Sequence, residues 1–364
     1  MSAKLRVIHF VTGGGSGATK VAIELACGHL RTGNCEPLLV LRRKKAPLPA
    51  TMQAQIAATG MRMVWVDRGW RKWITLRQLA AVIAEFKPQV FTAHGNSEHI
   101  WGRQAAFAAG VPVVLHVEMN CERYPFWRRW AAQKLAGRTT ATVCVSHGVA
   151  DHVRALGLAG PRLEVIHNGV DATRFSAGAP PFSTRSQDIV MVARFARQKD
   201  QPTLIRAARR LVDTGWTGQL LLGGDGKTSH RRACEILVAS LHLSDRVEFL
   251  GRVSDAATLY HRCRAAVLST HYEGLPLVLI DYMAAGCAAI GSDAPGVNDI
   301  IEPGVNGWRF PRGDDAALAQ ILTQVLAGGP MVEAAVARGQ ADAPARFSLQ
   351  RMLERYEALF AELL

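Results

Sequence analysis

Apolar residues in the first half of the chain fall into two patterns. LRVIHFVT, EPLLVLRR, MRMVWVD, QVFTAHG and VPVVLHVEM are short runs rich in β-branched residues, whereas in GATKVAIELACGHLRTG and TLRQLAAVIAEFKP the apolar positions recur every three or four residues. The first pattern predicts strands and the second amphipathic helices. Their alternation predicts a parallel sheet covered by helices. TRFSAGAPPFSTRSQ, residues 173–187, is rich in Pro, Gly and Ser and reads as a linker. The alternation then restarts, with DIVMVARF, GQLLLGGDG, VEFLG, AAVLST and AAIGSD as strands and QPTLIRAARRLVDTG, RRACEILVASLHL and PLVLIDYMAAG as helices. In the final stretch Leu349, Met352, Leu353, Tyr356, Leu359, Phe360 and Leu363 recur at helical spacing. The pattern therefore predicts two Rossmann-like units, 1–175 and 176–345, and a terminal helix at 346–364 that packs back toward the first unit. The carboxyl ends of the strands, facing a cleft between the units, are where such a fold is expected to hold a ligand.

Composition narrows the class. The chain has 364 residues, 49% of them apolar, enough for two cores. No apolar run approaches the roughly 20 residues of a membrane span. MSAKLRVIHFVTGGG carries His9 and runs into glycines, so it reads as a core strand, not a signal peptide, and a cytoplasmic location is expected. Seven scattered cysteines without a C-x-x-C support neither a disulfide framework nor a cysteine zinc site. The net charge is +13, and residues 1–178 hold 23 Lys/Arg against 10 Asp/Glu, while 179–364 hold 20 of each. A field confined to the first half suggests a polyanionic partner there: a membrane surface, a phosphorylated glycolipid or nucleic acid. RGWRKWITLR (68–77) and CERYPFWRRWAAQK (121–134) interleave aromatics with cations, and Trp127 and Trp130 share a helical face flanked by Arg128, Arg129 and Lys134. That mixture favours an anionic membrane interface over stacking on single-stranded RNA. The plainer alternative places the tryptophans in the core.

The chemistry concentrates in STHYEGLPLVLIDYMAAGCAAIGSDAPG, residues 269–296. Glu273 follows a strand, and Pro276 suits the first turn of a helix. The amides of Gly274, Leu275 and Leu277 then lie near a helix start, which attracts an anion. Asp281 lies about two turns further on, and a carboxylate accepts the two hydroxyls of a vicinal diol. Amides for phosphate between two acids for hydroxyls suit a nucleotide sugar. The bland alternative has Glu273 capping the helix and Asp281 facing solvent. Arg194 and Lys199, in ARFARQKD after another strand, suit a diphosphate. The glycine loop TGGGSGATK (12–20) is not a Walker A loop. It contains G-x-G-x-x-A at Gly13, Gly15 and Ala18, a weak dinucleotide fingerprint, but the second strand ends in Arg42 and Arg43 and not in an acid, which leaves NADP as the variant to consider. There is no D-x-D.

EGLPLVLIDYMAAG resembles the E-G-x-P-x-x-x-x-E-A-M-A-x-G element of the retaining GT-B glycosyltransferases that carry an E-x7-E pair. VIHNGVDATRF (165–175), VARFARQKDQPTLIRA (192–207), LLLGGDG (220–226) and VEFLGRV (247–253) match further blocks in the same order. The resemblance covers nearly all of the second half and only the outline of the first. It implies an α/β GT-B fold, with two Rossmann-like domains facing across a cleft. It implies a UDP- or GDP-linked sugar donor in the second domain, a glycan or lipid-linked acceptor at the first, and neither cofactor nor metal. Glu273 and Asp281 would hold sugar and ribose hydroxyls, Arg194 and Lys199 the diphosphate, and Gly274, Leu275 and Pro276 the donor by their backbone. The loop with Gly15 and Gly17 would approach the donor phosphates and the acceptor. His116 would contact the donor sugar, with His94 a second candidate, and Asn168 and Gly169 would shape the interdomain turn. The second family glutamate is Asp281 here, one methylene shorter. The implied activity is sugar transfer in lipopolysaccharide or cell-surface polysaccharide synthesis at the inner membrane face. An NADP-dependent oxidoreductase, or a non-catalytic sugar- or membrane-binding protein, are the alternatives, and binding of a nucleotide sugar as against a reduced dinucleotide separates them.

Overall fold

A computed structural model describes residues 4–44, 47–67, 72–95 and 98–364. The chain forms two compact units, the first running to Gly169 and resumed at Leu349–Leu364, the second Val170–Ser348.

The first unit is built on a seven-stranded sheet: β1 (Leu5–Thr12), β2 (Cys35–Arg42), β3 (Met63–Val66), β4 (Val90–His94), β5 (Val113–Glu118), β6 (Ala141–Cys144) and β7 (Leu163–Val165), in the order β3-β2-β1-β4-β5-β6-β7. The second holds six strands: β8 (Ser186–Val192), β9 (Leu220–Gly223), β10 (Val247–Gly251), β11 (Cys263–Leu268), β12 (Ala288–Ser292) and β13 (Trp308–Phe310), in the order β10-β9-β8-β11-β12-β13. Every pairing is parallel. That explains the runs read from the sequence: parallel strands are covered on both faces, so β4 and β5 are buried at every position. The direction of strand order reverses between β1 and β4 and again between β8 and β11. In an open parallel sheet the loops leaving such a pair of strands diverge and leave a crevice for a ligand. This geometry selects the loops after β1 and β4, and those after β8 and β11, as the places to look.

The expected linker at 173–187 is instead packed structure. Thr173–Ser176 forms a helical turn and Phe182–Thr184 a 3-10 turn, with Phe175 and Phe182 buried in the second unit. Pro, Gly and Ser mark where the chain turns, and the two phenylalanines among them decide that it packs. The chain passes between units at Gly169/Val170 and at Ser348/Leu349, where the Val170 amide donates to the Phe347 carbonyl. The terminal helix begins at Leu349, after an extended Ser348, a few residues later than the sequence pattern suggests. It supplies Met352, Leu353, Tyr356, Leu359 and Phe360 to the core of the first unit, and Leu353 presses on Gly28, where a Cβ would lie 2.5 Å from it. Among the described residues no helix is long and apolar enough to cross a membrane.

Candidate active site

The second unit's switch point brings together residues that lie 74 apart in sequence. After β8 the chain runs through Arg194 into a 3-10 turn, Arg197–Lys199, and a left-handed Asp200 (φ 46°), then enters the helix Gln201–Asp213. Gln201 Nε2 donates to the Arg194 carbonyl at 2.9 Å, and the Arg194 side chain is exposed. After β11 the loop 269–276 lies against this turn. His271 N donates to Gln198 O (2.8 Å), Gln198 Nε2 to Tyr272 O (2.6 Å), and Ser269 Oγ to Asp200 O (2.9 Å). Lys199 Nζ donates to Glu273 Oε1 at 2.5 Å and Thr270 Oγ1 donates to the same oxygen at 2.8 Å. Glu273 is buried, yet Oε2 receives no hydrogen bond from the described residues. A buried carboxylate with one oxygen fully engaged and the other open is an acceptor aimed at something outside the chain.

Beside it the helix Leu277–Ala284 starts with no side-chain cap. Pro276 is its N-cap residue and lies just outside the first turn expected for it, and the amides of Gly274, Leu275 and Leu277 carry no bond from the described residues. Uncapped amides at a helix start bind anions. Gly296 (φ 82°) packs so closely that a Cβ there would lie 2.3 Å from the Gly274 carbonyl oxygen. Asp281 sits on this helix, half-buried. Its neighbour Tyr282 takes the Val192 amide proton at 2.8 Å, which ties the helix to the end of β8. Burial pushes the Tyr260 and Tyr282 hydroxyls well above their ordinary range, helped at Tyr260 by the Tyr282 phenol and the Asp281 carboxylate and at Tyr282 by Cys287 and Asp281, so both stay protonated.

The sequence reading gives no site role to the residues after β9. There Gly224, Asp225, Gly226, Thr228, Arg231 and Glu235 line a cavity of about 530 Å³ next to the Arg194 loop. Gly224 (φ 128°) and Gly226 allow the contact, since a Cβ would lie 2.3 Å from Ala193 O in one case and 2.4 Å from Phe195 N in the other. The glycines of LLLGGDG were the available signal.

In the first unit the glycines of the β1 loop make room largely for the chain itself. A Cβ on Gly13 would lie 2.3 Å from the Trp65 ring and one on Gly15 2.8 Å from Pro49, whereas Gly17 meets nothing within 4 Å. Ser16 caps the helix that Gly17 opens, accepting from Thr19 N. Arg42, the first of the two arginines ending β2, pairs with buried Glu98, and Arg43 pairs with Asp67 at 3.1 Å. Gly169 ends the first unit, its amide on Met352 Sδ, and Asn168 is buried beside it.

His116 lies within β5, fully buried, stacked on His99 at 4.0 Å, with Nε2 3.4 Å from Glu118 Oε2 and neither ring nitrogen in a well-formed hydrogen bond. His99 Nδ1 accepts a hydrogen bond from Arg103 at 2.8 Å. Arginine can only donate, so the His99 proton sits on Nε2 and points to Tyr124 Oη at 3.0 Å, and Tyr124 donates to Glu118 at 2.5 Å. The three side chains His99, His116 and Glu118 lie close enough to ligate one ion. The guanidinium and the committed His99 nitrogens make this cluster a poor cation site. His94 belongs to a second buried group with His9, His29 and Thr92. Burial, ahead of neighbouring charges, lowers the pKa of all five histidines, to about 4 for His29 and about 3 for His94.

The tryptophans of Phe126–Ala136 are not core residues. Trp127 and Trp130 are 52% and 53% exposed and Phe126 85%. Arg128 lies over the Trp127 ring at 4.9 Å and Lys134 over Trp130 at 3.6 Å, while Arg129 is turned to the Leu156 carbonyl. Of the other aromatic stretch, Trp73 is half-exposed, and Arg68, Gly69, Trp70 and Arg71 lie outside the described residues.

Comparison with known proteins adds to this geometry. Residues 15–174 match the family profile described as Glycosyltransferase Family 4, and residues 174–342 that described as Glycosyl transferases group 1. EpsD of Bacillus subtilis (strain 168), whose name describes a glycosyltransferase, is 30% identical over 68% of this chain and 70% of its own. The amylovoran biosynthesis glycosyltransferase AmsK of Erwinia amylovora is 26% identical over 56% of this chain, which spans 53% of AmsK. Among solved structures, Anabaena Alr3699/HepE in complex with UDP matches 99% of this chain and 100% of its own, with a TM-score of 0.86 at 17% identity. The lipopolysaccharide outer core galactosyltransferase WaaB matches the same shares, with a TM-score of 0.78 at 19%. At such identities the likeness establishes the fold.

Proposed function

Because the chain belongs to the glycosyl transferases of group 1 and family 4, we propose that it moves a sugar from a nucleoside-diphosphate donor to a glycan or lipid-linked acceptor with retention of configuration. The observation that carries this reading is the half-engaged Glu273 carboxylate, held through Oε1 by Lys199 and Thr270 beside the free amides of Gly274 and Leu275.

In this reading the donor diphosphate lies on those amides, on Arg194, and on the two Lys199 ammonium protons that Glu273 does not take. Pro276 keeps the helix start uncapped. Glu273 Oε2 accepts a sugar hydroxyl and Asp281 the ribose hydroxyls. The base enters the cavity at Gly224–Gly226, whose volume suits a nucleoside-sized group. As the glycosidic bond breaks, charge grows on the departing phosphate. Fixed cations and amides stabilise that charge more than the ground state, which lowers the barrier. The acceptor hydroxyl attacks from the face the phosphate leaves and gives its proton to that phosphate, so no side chain has to serve as base, and no metal or cofactor takes part. In the first unit Gly17, where a Cβ would meet nothing within 4 Å, leaves the loop after β1 open to the acceptor, with Gly15 behind it. His116, expected to contact the donor sugar, is fully buried within β5 and presents no exposed nitrogen to it.

HepE structures described as complexes with UDP and with UDP-glucose support a uridine nucleotide as donor. The names of AmsK, of the colanic acid protein WcaL and of WaaB support a role in cell-surface polysaccharide or lipopolysaccharide synthesis. The aromatic and cationic face of Phe126–Ala136 supports work at the anionic inner face of the membrane. The NADP reading is weakened, since Arg42 and Arg43 are already paired with carboxylates.

The test is a melting-point screen of UDP-, GDP- and ADP-sugars with NADPH as control, followed by nucleotide release in the presence of chelator. One nucleotide-sugar class should raise the melting point, since a ligand that binds only the folded state stabilises it. Glu273→Gln should release nucleotide about 100-fold more slowly while melting normally. A response to NADPH alone, or wild-type turnover by Glu273→Gln, would refute the proposal.

A further inference from the structure

Where β8 and β11 part at the second unit's switch point, a side chain takes over from the sheet. Ile189 and Ala193 donate to Gln219 O and Gly223 O, so their amides face β9, and the alternation along a strand turns the Val192 amide toward β11. The pairing of β8 with β11 is last made at Val190 and Ala266, and the Val192 amide donates instead to Tyr282 Oη at 2.8 Å. Tyr282 is fully buried on the helix Leu277–Ala284. The Tyr260 ring meets it edge-on with centroids 4.9 Å apart, and Phe175 stacks on Tyr260 at 5.7 Å. No other hydrogen bond of the Tyr282 hydroxyl occurs among the described residues. Arg194 and Lys199 follow Val192 by two and seven residues, and Asp281 immediately precedes Tyr282. A single bond therefore joins the loop that carries both cations to the helix that carries the acid and the uncapped amides. The resembled element has alanine where this chain has Tyr282, and a methyl group cannot accept a strand amide. Asp281 is the adjoining departure. With one side-chain torsion fewer than glutamate, it cannot follow a helix that shifts, so its reach depends on where that helix is fixed.

We propose that Tyr282 is a positioning residue for sugar transfer: by accepting the Val192 amide, its hydroxyl fixes the cation-bearing loop after β8 at the distance from Asp281, Gly274 and Leu275 at which one nucleoside-diphosphate sugar meets them all. The proposal rests on the donor reading and adds to it a residue that touches no substrate. Charge on the departing phosphate is stabilised by cations already in place when the bond breaks, so slack in their loop costs rate. The bound donor still rests on the helix's own amides and acid, so its ground-state binding changes little.

Tyr282→Phe in the full chain tests it, since the ring and its packing stay and only the hydrogen bond is lost. Phe175→Leu, which trims the same aromatic group one ring further from the site, is the comparison. Both variants should melt a few degrees lower than the wild type. In Tyr282→Phe alone, the amides of residues 192–199 should exchange with deuterium about tenfold faster. In that variant alone, kcat with the nucleotide sugar found in the screen should fall at least about tenfold, with the donor KM within about threefold of wild type. Unchanged exchange would show that the bond does not hold the loop. Faster exchange with unaltered kcat would make the tie structural only, and an equal fall of kcat in Phe175→Leu would trace the loss to general loosening. Each of these results would overturn the proposal. A wild type that turns over no nucleotide sugar defeats the donor reading itself and this proposal with it, whereas the other outcomes require an active wild type and bear on Tyr282 alone.

Discussion

At Glu273 both intramolecular hydrogen bonds fall on one oxygen, and this asymmetry separates a binding group from a structural one. A carboxylate that only capped its helix would take a first-turn amide such as that of Leu277, which receives no such bond among the described residues. Asp281 is the companion case, an acid where the resembled element has glutamate. Asp281→Ala should lower affinity for the nucleotide sugar about tenfold, the scale of a hydrogen bond to a charged group, with an unaltered melting point. Asp281→Glu should keep it. Calorimetry with the donor found in the screen measures both, and unchanged affinity in the alanine variant would remove the ribose contact. The sequence marks Asp281 because it interrupts an apolar run and Glu273 because it follows a strand at a turn. It does not show that Lys199 bonds Glu273, a contact made only when two loops distant in the chain meet at a switch point.

Among the elements, the helix Phe126–Ala136 is the one whose outward face is hardest to explain by packing. Its indoles are half-exposed under Arg128 and Lys134, and in the proposed membrane reading the rings would sit at the depth of lipid headgroups with the charges above them. Arg128→Gln with Lys134→Gln should reduce binding to phosphatidylglycerol vesicles roughly tenfold or more, since each cation near an anionic surface contributes about 1 kcal/mol. Sedimentation with vesicles measures it, and added salt should shrink the difference. Equal sedimentation of variant and wild type at low salt would end the membrane argument. Arg129 is a poor choice for this test because it anchors the helix to Leu156. Helical periodicity showed that Trp127 and Trp130 share a face, but whether that face turned inward depended on what packed behind it.

The molecule as a whole carries a consequence of its buried histidines. His9, His29, His94, His99 and His116 are neutral in the folded first unit, with pKa values lowered chiefly by burial. Unfolded, each takes a proton as pH falls through about 6.5. The unfolded chain therefore binds more protons than the folded one between that pH and the folded values, about 4 for His29 and about 3 for His94. Stability is fully present above about pH 6.5 and is lost as pH falls, by about 1.4 kcal/mol per pH unit for each such histidine. Urea midpoints at pH 7, 6 and 5 should decline steadily. A constant or rising midpoint on acidification would contradict the burial of these rings in neutral form.

Much of this protein follows from local pattern alone. Runs of β-branched residues, helical spacing and turn residues depend on a few neighbouring positions, so strands such as Ser186–Val192 and helices such as Gln201–Asp213 could be read directly, as could the acids and cations that break those patterns. The strand order, and hence the crevice, depended on long-range pairing of β8 with β11, which no local window contains. Tertiary packing also decided that Phe175 and Phe182 bury a stretch that reads as linker, and that the terminal helix completes a core begun more than 300 residues earlier. It decided further that Gly13 leaves space for an indole. Each of these outcomes turns on which surfaces meet, and burial, with the hydrogen bonds it makes obligatory, is a property of the folded whole.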